Sequence, residues 1–194
     1  MTTPVGPSMM LSVTWPDVDA VVTARCGLAP LSPAHAEAMV SVLAEPGLYE
    51  FTGGEPPRLD QLRRRYRAQS VGHSADGQQW WCNWIVTMLD SARPVGYVQA
   101  TVERSSGELE ANIAWVIQPA DQGRGVATEA AAGMMAWLAG HGVRHYAAYI
   151  HPEHAASSRV ASKLGMRPTT VTHDGEVRWE SEDRLAARHA EDGP

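Results

Sequence analysis

Six residues, Gln122-Gly123-Arg124-Gly125-Val126-Ala127, join a β-rich run that stops at Pro119 to an apolar stripe with helical spacing. A chain that leaves a strand, turns on two glycines and enters a helix presents unpaired backbone N–H groups at the helix start, where the dipole favours an anion. Without a Cβ, Gly123 and Gly125 can adopt the dihedrals that turn successive N–H groups inward, a nest suited to a pyrophosphate, and small Ala127 keeps the approach open. A plain structural turn writes the same letters, so the loop alone is compatible with both readings. Other phosphate loops fit less well. A Walker loop needs Gly-Lys-Ser/Thr, and a dinucleotide fingerprint needs a third glycine in an early βαβ unit with an acid about 20 residues on.

The elements around the loop are those of a mixed α/β domain. Val22 to Leu31 reads as a strand, and Ser32-Pro33 supplies an N-cap and a first-turn proline to a helix carrying Ala36, Met39, Val40 and Leu43. Leu59, Leu62 and Tyr66 begin a second helical stripe, whose Arg58, Arg63, Arg64, Arg65 and Arg67 read as a solvated face. Three β-rich runs follow, Trp80 to Leu89, Val95 to Glu103 and Leu109 to Ile117, with turn residues between them. After the glycine loop, Val126, Ala130, Met134, Trp137, Leu138 and His141 mark a helix. Tyr146 to Ile150 is a short buried strand, and Ala156, Val160, Ala161 and Leu164 mark a helix closed by Gly165. Met166 to Thr172 and Glu176 to Glu182 flank Asp174-Gly175 as a hairpin. This order predicts one central sheet.

With 194 residues the chain suits a single domain, expected over 21–184, between a loosely attached arm at 1–20 and a polar tail at 185–194. A formal charge of -6 gives no long-range attraction for nucleic acid. Cys26 and Cys82 follow no metal or redox spacing and are expected as reduced, buried thiols. With no export pattern and no apolar window near ~18 residues, the expectation is a cytoplasmic protein that does not enter a membrane. The histidines match no zinc motif, so no metal is expected. A homodimer is left open.

Two segments together resemble the GNAT N-acetyltransferases, specifically the branch that includes the bacterial ribosomal-protein N-terminal acetyltransferases. Ile113-Ala114-Trp115-Val116-Ile117-Gln118-Pro119 through Gln122-Gly123-Arg124-Gly125-Val126-Ala127-Thr128-Glu129-Ala130 is similar to that family's strand, Gln/Arg-x-x-Gly-x-Gly/Ala loop and helix. The segment from His154 to Met166, with Ser157, Arg159, Val160, Lys163, Leu164 and Gly165 inside it, is similar to the family's Asn-x-x-Ser-x-Arg-Val-x-x-Lys-Leu-Gly-Phe. The resemblance implies the GNAT fold, a mixed, mostly antiparallel central sheet of about seven strands with helices on both faces. It implies acetyl-CoA as co-substrate and an amine as acceptor. Pantetheine would lie against the backbone of Val116 and Ile117, and the pyrophosphate on Gln122, Gly123, Arg124, Gly125, Val126, Ala127 and Thr128. His154 and Ser157 would contact the cofactor.

Acyl transfer to an amine needs a neutral nucleophile, stabilisation of developing oxyanion charge and a leaving group that departs readily. A thiol with pKa near ~8.5 leaves easily, whereas an alkylamine near ~10 must first lose a proton, so a base helps most. Glu108, Glu110 and Asn112 alternate onto one face of their strand, and Glu110 is the first candidate for the base, acting through water. Where the family branch often has a glutamate, this chain has Asn112. Where many relatives have a tyrosine to protonate the thiolate, it has Ala161. Ser157 is the hydroxyl that stands in for that tyrosine, although local backbone bonding would explain it equally. Tyr49, Phe51, Trp81 and Trp84 would shape the acceptor pocket or simply fill the core. A CoA-binding module without catalysis is the alternative to an enzyme.

Overall fold

A computed structural model describes residues 15–105 and 107–182. The expected tail, most of the expected arm and Ser106 of the second turn lie outside the described residues. Eight strands form one sheet in the order β1-β2-β3-β4-β5-β6-β8-β7, one more than expected. The extra strand comes from the first run, which splits into β1 (Val21–Val22) and β2 (Cys26–Pro30). Thr23 makes the break, because its Oγ1 accepts from the Cys26 N–H at 3.1 Å and turns the chain back on itself.

β3 (Trp80–Met88), β4 (Pro94–Ser105) and β5 (Glu108–Ile117) form the expected antiparallel meander. β6 (Val143–Ile150) joins β5 in parallel, and β7 (Met166–His173) and β8 (Glu176–Ser181) close the sheet as a hairpin, with β8 against β6. Helices cover both faces. α1 (Ala36–Val42) and α2 (Leu59–Gln69) bury Met39, Leu62 and Tyr66 against Ile85, with Tyr97 and Val116 alongside. α3 (Val126–Gly140) and α4 (Ala155–Lys163) place Val126, Ala130, Met134, Leu138 and Ala161 in a larger cluster with Val86, Val98, Ala100 and Ile113.

Residues 15–20 are anchored rather than loose. Trp15 stacks on Trp80 with centroids 5.7 Å apart, its Nε1 donates to the Gly77 carbonyl at 3.0 Å, and Trp84 Nε1 donates to the Asp19 carbonyl at 2.7 Å. The indoles of Trp80, Trp84 and Trp137 form one aromatic cluster with that segment, tilted or edge-on to one another. None of the described helices is long and apolar enough to cross a membrane.

Candidate active site

β5 and β6 pair only through Leu109–Asn112 and Val143–Ala147. Beyond Asn112, β5 continues to Ile117 on β4, while β6 runs on to Ile150 on β8, so the two strands part. A cleft of ≈ 730 Å³ opens between them. Its walls include Ile113 to Ile117 from β5 and Ala148 to Ile150 from β6. Past the parting, the β6-facing edge of β5 has no strand beside it, which leaves backbone groups for a ligand. Gly96 of β4 sets the position of that edge, since a Cβ there would stand 1.9 Å from the Val116 carbonyl oxygen.

The glycine loop closes one end of the cleft. Gly123 and Gly125 have φ of 72° and 80°, the left-handed region that a side chain strains, and Gly125 is the N-cap residue of α3. No side chain caps that helix, and its first intrahelical bond runs from the Glu129 N–H to the Gly125 carbonyl. The N–H groups of residues 126 to 128 therefore lack helical partners. Gln122, Gly123, Gly125, Val126, Ala127 and Thr128 all line the cleft. Arg124 does not. Its guanidinium turns to Asp121 at 3.4 Å, and its carbonyl accepts from Arg25 Nη1 at 3.1 Å.

Two carboxylates hold this loop in place. Asp121 is 1% exposed, accepts two 3.0 Å bonds from the Arg93 guanidinium and a 2.6 Å bond from Gln118, and the Arg93 pairing holds its carboxyl below the usual range. Glu129, in the first turn of α3, accepts from Thr23 Oγ1 and from the Arg25 N–H and Nε, each at 2.7 Å. Burial works to raise the Glu129 pKa, but those hydrogen bonds outweigh it and leave the carboxyl below its ordinary value. The first hairpin thus grips the start of α3 and, through Arg25, the loop itself.

His154 and Ser157 line the opposite side, at the start of α4. The His154 ring stacks on Phe51 with centroids 4.5 Å apart, and burial lowers its pKa, which favours the neutral imidazole. His151 also lines the cleft and meets Phe51 at 5.4 Å. The Ser157 hydroxyl makes no hydrogen bond among the described residues, so the local backbone bond that would have explained it is absent. Arg159 and Lys163 bring two cations to the same wall.

Glu110 is not among the residues that line the cleft. Its carboxylate pairs with Arg178, whose Nε also donates to Glu180 at 2.6 Å and whose Nη1 donates to the Tyr149 hydroxyl at 3.1 Å. Tyr149 does line the cleft. Guanidinium is a donor only, so the Tyr149 oxygen accepts and its own proton is left for another partner. Of the aromatics expected around the acceptor, Phe51 reaches the cleft, while the Tyr49 hydroxyl is tied to the Leu43 carbonyl at 2.9 Å and Trp84 packs edge-on against Trp137. Arg93, Asp121, Arg178 and Tyr149 went unnoticed in the sequence. Arg93 and Asp121 are 28 residues apart, Tyr149 and Arg178 29, and Glu110 and Arg178 68, so no local pattern marks these pairings.

Comparisons with known proteins agree with this geometry. A family model described as an acetyltransferase (GNAT) domain matches residues 25–167. A GNAT-family acetyltransferase from Bordetella pertussis superposes with a TM-score of 0.63 at 26% identity, covering 84% of this chain and 99% of its own. A GNAT-family acetyltransferase from Bacillus anthracis gives 0.65 at 18%, covering 84% and 97%. A RimL ribosomal L7/L12 alpha-N-protein acetyltransferase, solved in complex with coenzyme A, gives 0.70 at 14%, covering 84% and 97%. At those two lower identities the likeness is one of fold. A search of curated proteins finds no match.

Proposed function

Because the chain belongs to the GNAT acetyltransferase family, we propose that it transfers an acetyl group from acetyl-CoA to a primary amine, on a small molecule or a peptide N-terminus, by direct attack. The observation that carries this reading is the meeting, in one cleft, of a strand edge without a neighbour and the uncapped start of a 15-residue helix. The edge at Val116 and Ile117 suits the amide-bearing pantetheine arm, which would bond to it as an added strand. The N–H groups after Gly125 suit a pyrophosphate, and Arg159 and Lys163 offer cations to a further phosphate. We place the reaction in the cytoplasm, where the buried thiols of Cys26 and Cys82 stay reduced.

Acetyl-CoA supplies the acetyl group on a thioester. The amine has to lose a proton as the N–C bond forms, and the sulfur gains one as the C–S bond breaks. Ser157 and Tyr149 are the hydroxyls we assign to the sulfur, and His154 contacts the cofactor. Glu110 stands outside the cleft lining with its carboxylate engaged by Arg178, which argues against it as the base. We propose instead that Glu110 positions Tyr149 through Arg178. Glu110→Gln and Tyr149→Phe should then lower kcat by similar factors with the acid limb of the kcat/KM profile unmoved. A shift of that limb in Glu110→Gln alone would return the base role to Glu110.

Calorimetric titration of acetyl-CoA tests the whole reading. Saturable binding is expected in the wild type and loss of at least about 100-fold in Gly125→Glu, whose side chain places bulk and negative charge on the loop. A folded wild type that does not bind acetyl-CoA would remove the proposal. Binding without coenzyme A release across an amine panel would favour a CoA-binding module that works through a partner.

A further inference from the structure

A cavity of ≈ 240 Å³ lies under α2, against β3 and β4. Its wall includes Arg65, Tyr66 and Gln69 from the helix and Asn83, Tyr97 and Gln99 from the strands. Tyr97 and Gln99 also line the cleft, so cavity and cleft meet across β4. The sheet register explains how. Asn83, Gln99 and Ala114 form one row across β3, β4 and β5, and Ile85, Tyr97 and Val116 form the next. The cavity therefore stands one to two strand spacings, about 5–10 Å, from the edge of β5 where the acetyl group is placed.

Its chemistry differs from that of a packing gap. Tyr66 is 3% exposed, and its buried hydroxyl interacts with the Arg65 side chain, a pair of donors whose spare capacity native interiors seldom leave unused. Among three consecutive arginines, Arg63 pairs with Glu37 and Arg64 with Asp60, but Arg65 has no carboxylate partner among the described residues. Its guanidinium lies 5.9 Å from the Tyr66 ring. No aspartate or glutamate lines the cavity. Burial pushes the Tyr66 phenol up to about 12 and raises Tyr97 as well, with Arg65 opposing both, so the two hydroxyls remain protonated donors. One cation, two phenols and three amides thus surround a small space beside the reaction path.

We propose that this cavity is an acceptor subsite that takes a carboxylate, so that the acceptor is a small amine carrying an acid group. Arg65 and Tyr66 hold the carboxylate, Asn83 and Gln99 line the passage, and the amine reaches the edge of β5. The volume is below the roughly 300–1,000 Å³ of pockets for drug-sized ligands, which fits a small amino acid. This inference rests on the acetyl-transfer reading and adds the substrate class to it.

The test is coenzyme A release from acetyl-CoA by the wild-type protein with α-amino acids and short ω-amino acids, each beside its carboxamide and beside a diamine of equal length. The expected result is a preference of about tenfold or more in kcat/KM for the acid over the amide, the worth of one charge-assisted pair. Arg65→Gln should erase that preference by raising KM for the acid alone, with acetyl-CoA affinity by calorimetry unchanged. Tyr66→Phe should do the same to a smaller degree. Amides or diamines used as well as the acids, or an Arg65→Gln loss shared by every acceptor, would overturn the inference. So would acetyl-CoA binding with no release from any acid, which leaves acetyl transfer standing for another amine. Failure of acetyl-CoA to bind would remove both.

Discussion

On the sheet face beneath α3, Val86, Val98, Ala100, Ile113 and Met134 are at most 2% exposed and pack as a continuous apolar layer. On the opposite face, α1 and α2 bury Met39, Leu62 and Ile85, but the neighbouring strand positions are Asn83, Tyr97 and Gln99, and the space between is a polar cavity. One layer is dry and filled, so it fixes the backbone of β4 and β5 from behind. The other leaves polar side chains free to meet a ligand. A strand such as β5 can then serve as a rigid edge for a cofactor on one side and a floor for an acceptor on the other, because its position does not depend on the wet face.

The largest effect that would sharpen this contrast comes from the dry face. Met134→Ala should cost about 2–5 kcal/mol in denaturant unfolding through the cavity it leaves, with acceptor KM unchanged. A changed KM at full occupancy of the folded state would show that the wet face leans on the dry one. Gly96→Ala comes next. Its Cβ meets backbone rather than a movable side chain, so β4 and β5 must shift, at about 1–3 kcal/mol of stability, and acetyl-CoA binding should weaken with it. Wild-type binding in a destabilised Gly96→Ala would detach the cofactor edge from β4.

Smaller effects belong to the loop and the cavity. The Asp121 carboxyl is held below its unfolded value of ~3.9, so its contribution is complete above that pH and is lost as pH falls through the folded value. Asp121→Asn should therefore cost about 1–2 kcal/mol at neutral pH and flatten the stability curve below about pH 4, measured by thermal unfolding across pH. An unchanged acid limb would mean the Arg93 pair does not bear on the fold. Tyr66→Phe should change stability least, by under about 1 kcal/mol, because it removes one buried hydroxyl whose side-chain partner is Arg65. Marked destabilisation would mean the hydroxyl bears on the fold and the wet face is better filled than described.

The dry face and the loop were legible in the residues. The stripe Val126, Ala130, Met134, Leu138 needed only helical spacing, and Gly123 and Gly125 take the left-handed conformation that their place before a helix suggests. The parting of β5 from β6 was not legible from spacing, because the alternation of β5 runs unbroken through Ile117 while the pairing ends at Asn112. Pairing is a property of two segments, and the alternation within one of them does not carry it. Tyr66 sits in a helical stripe with Leu59 and Leu62, and a stripe does not reveal what partner a hydroxyl finds. Arg65 is the same residue type as its neighbours, and only the ion pairs of Arg63 with Glu37 and Arg64 with Asp60 set it apart. Trp15 lies in a segment without periodicity, so nothing near it announced the stack on Trp80.

The order of strands also bears on how the molecule assembles. Although β2 reaches β3 across α1 and α2, and β6 reaches β8 across α4 and β7, β1 to β5 form one antiparallel run and β6 to β8 another. The two are stitched by the short parallel ladder at Leu109–Asn112 and Val143–Ala147, which waits on the crossover through α3. The cleft is thus the seam between two antiparallel halves of the sheet, and whatever binds across it acts as a rivet.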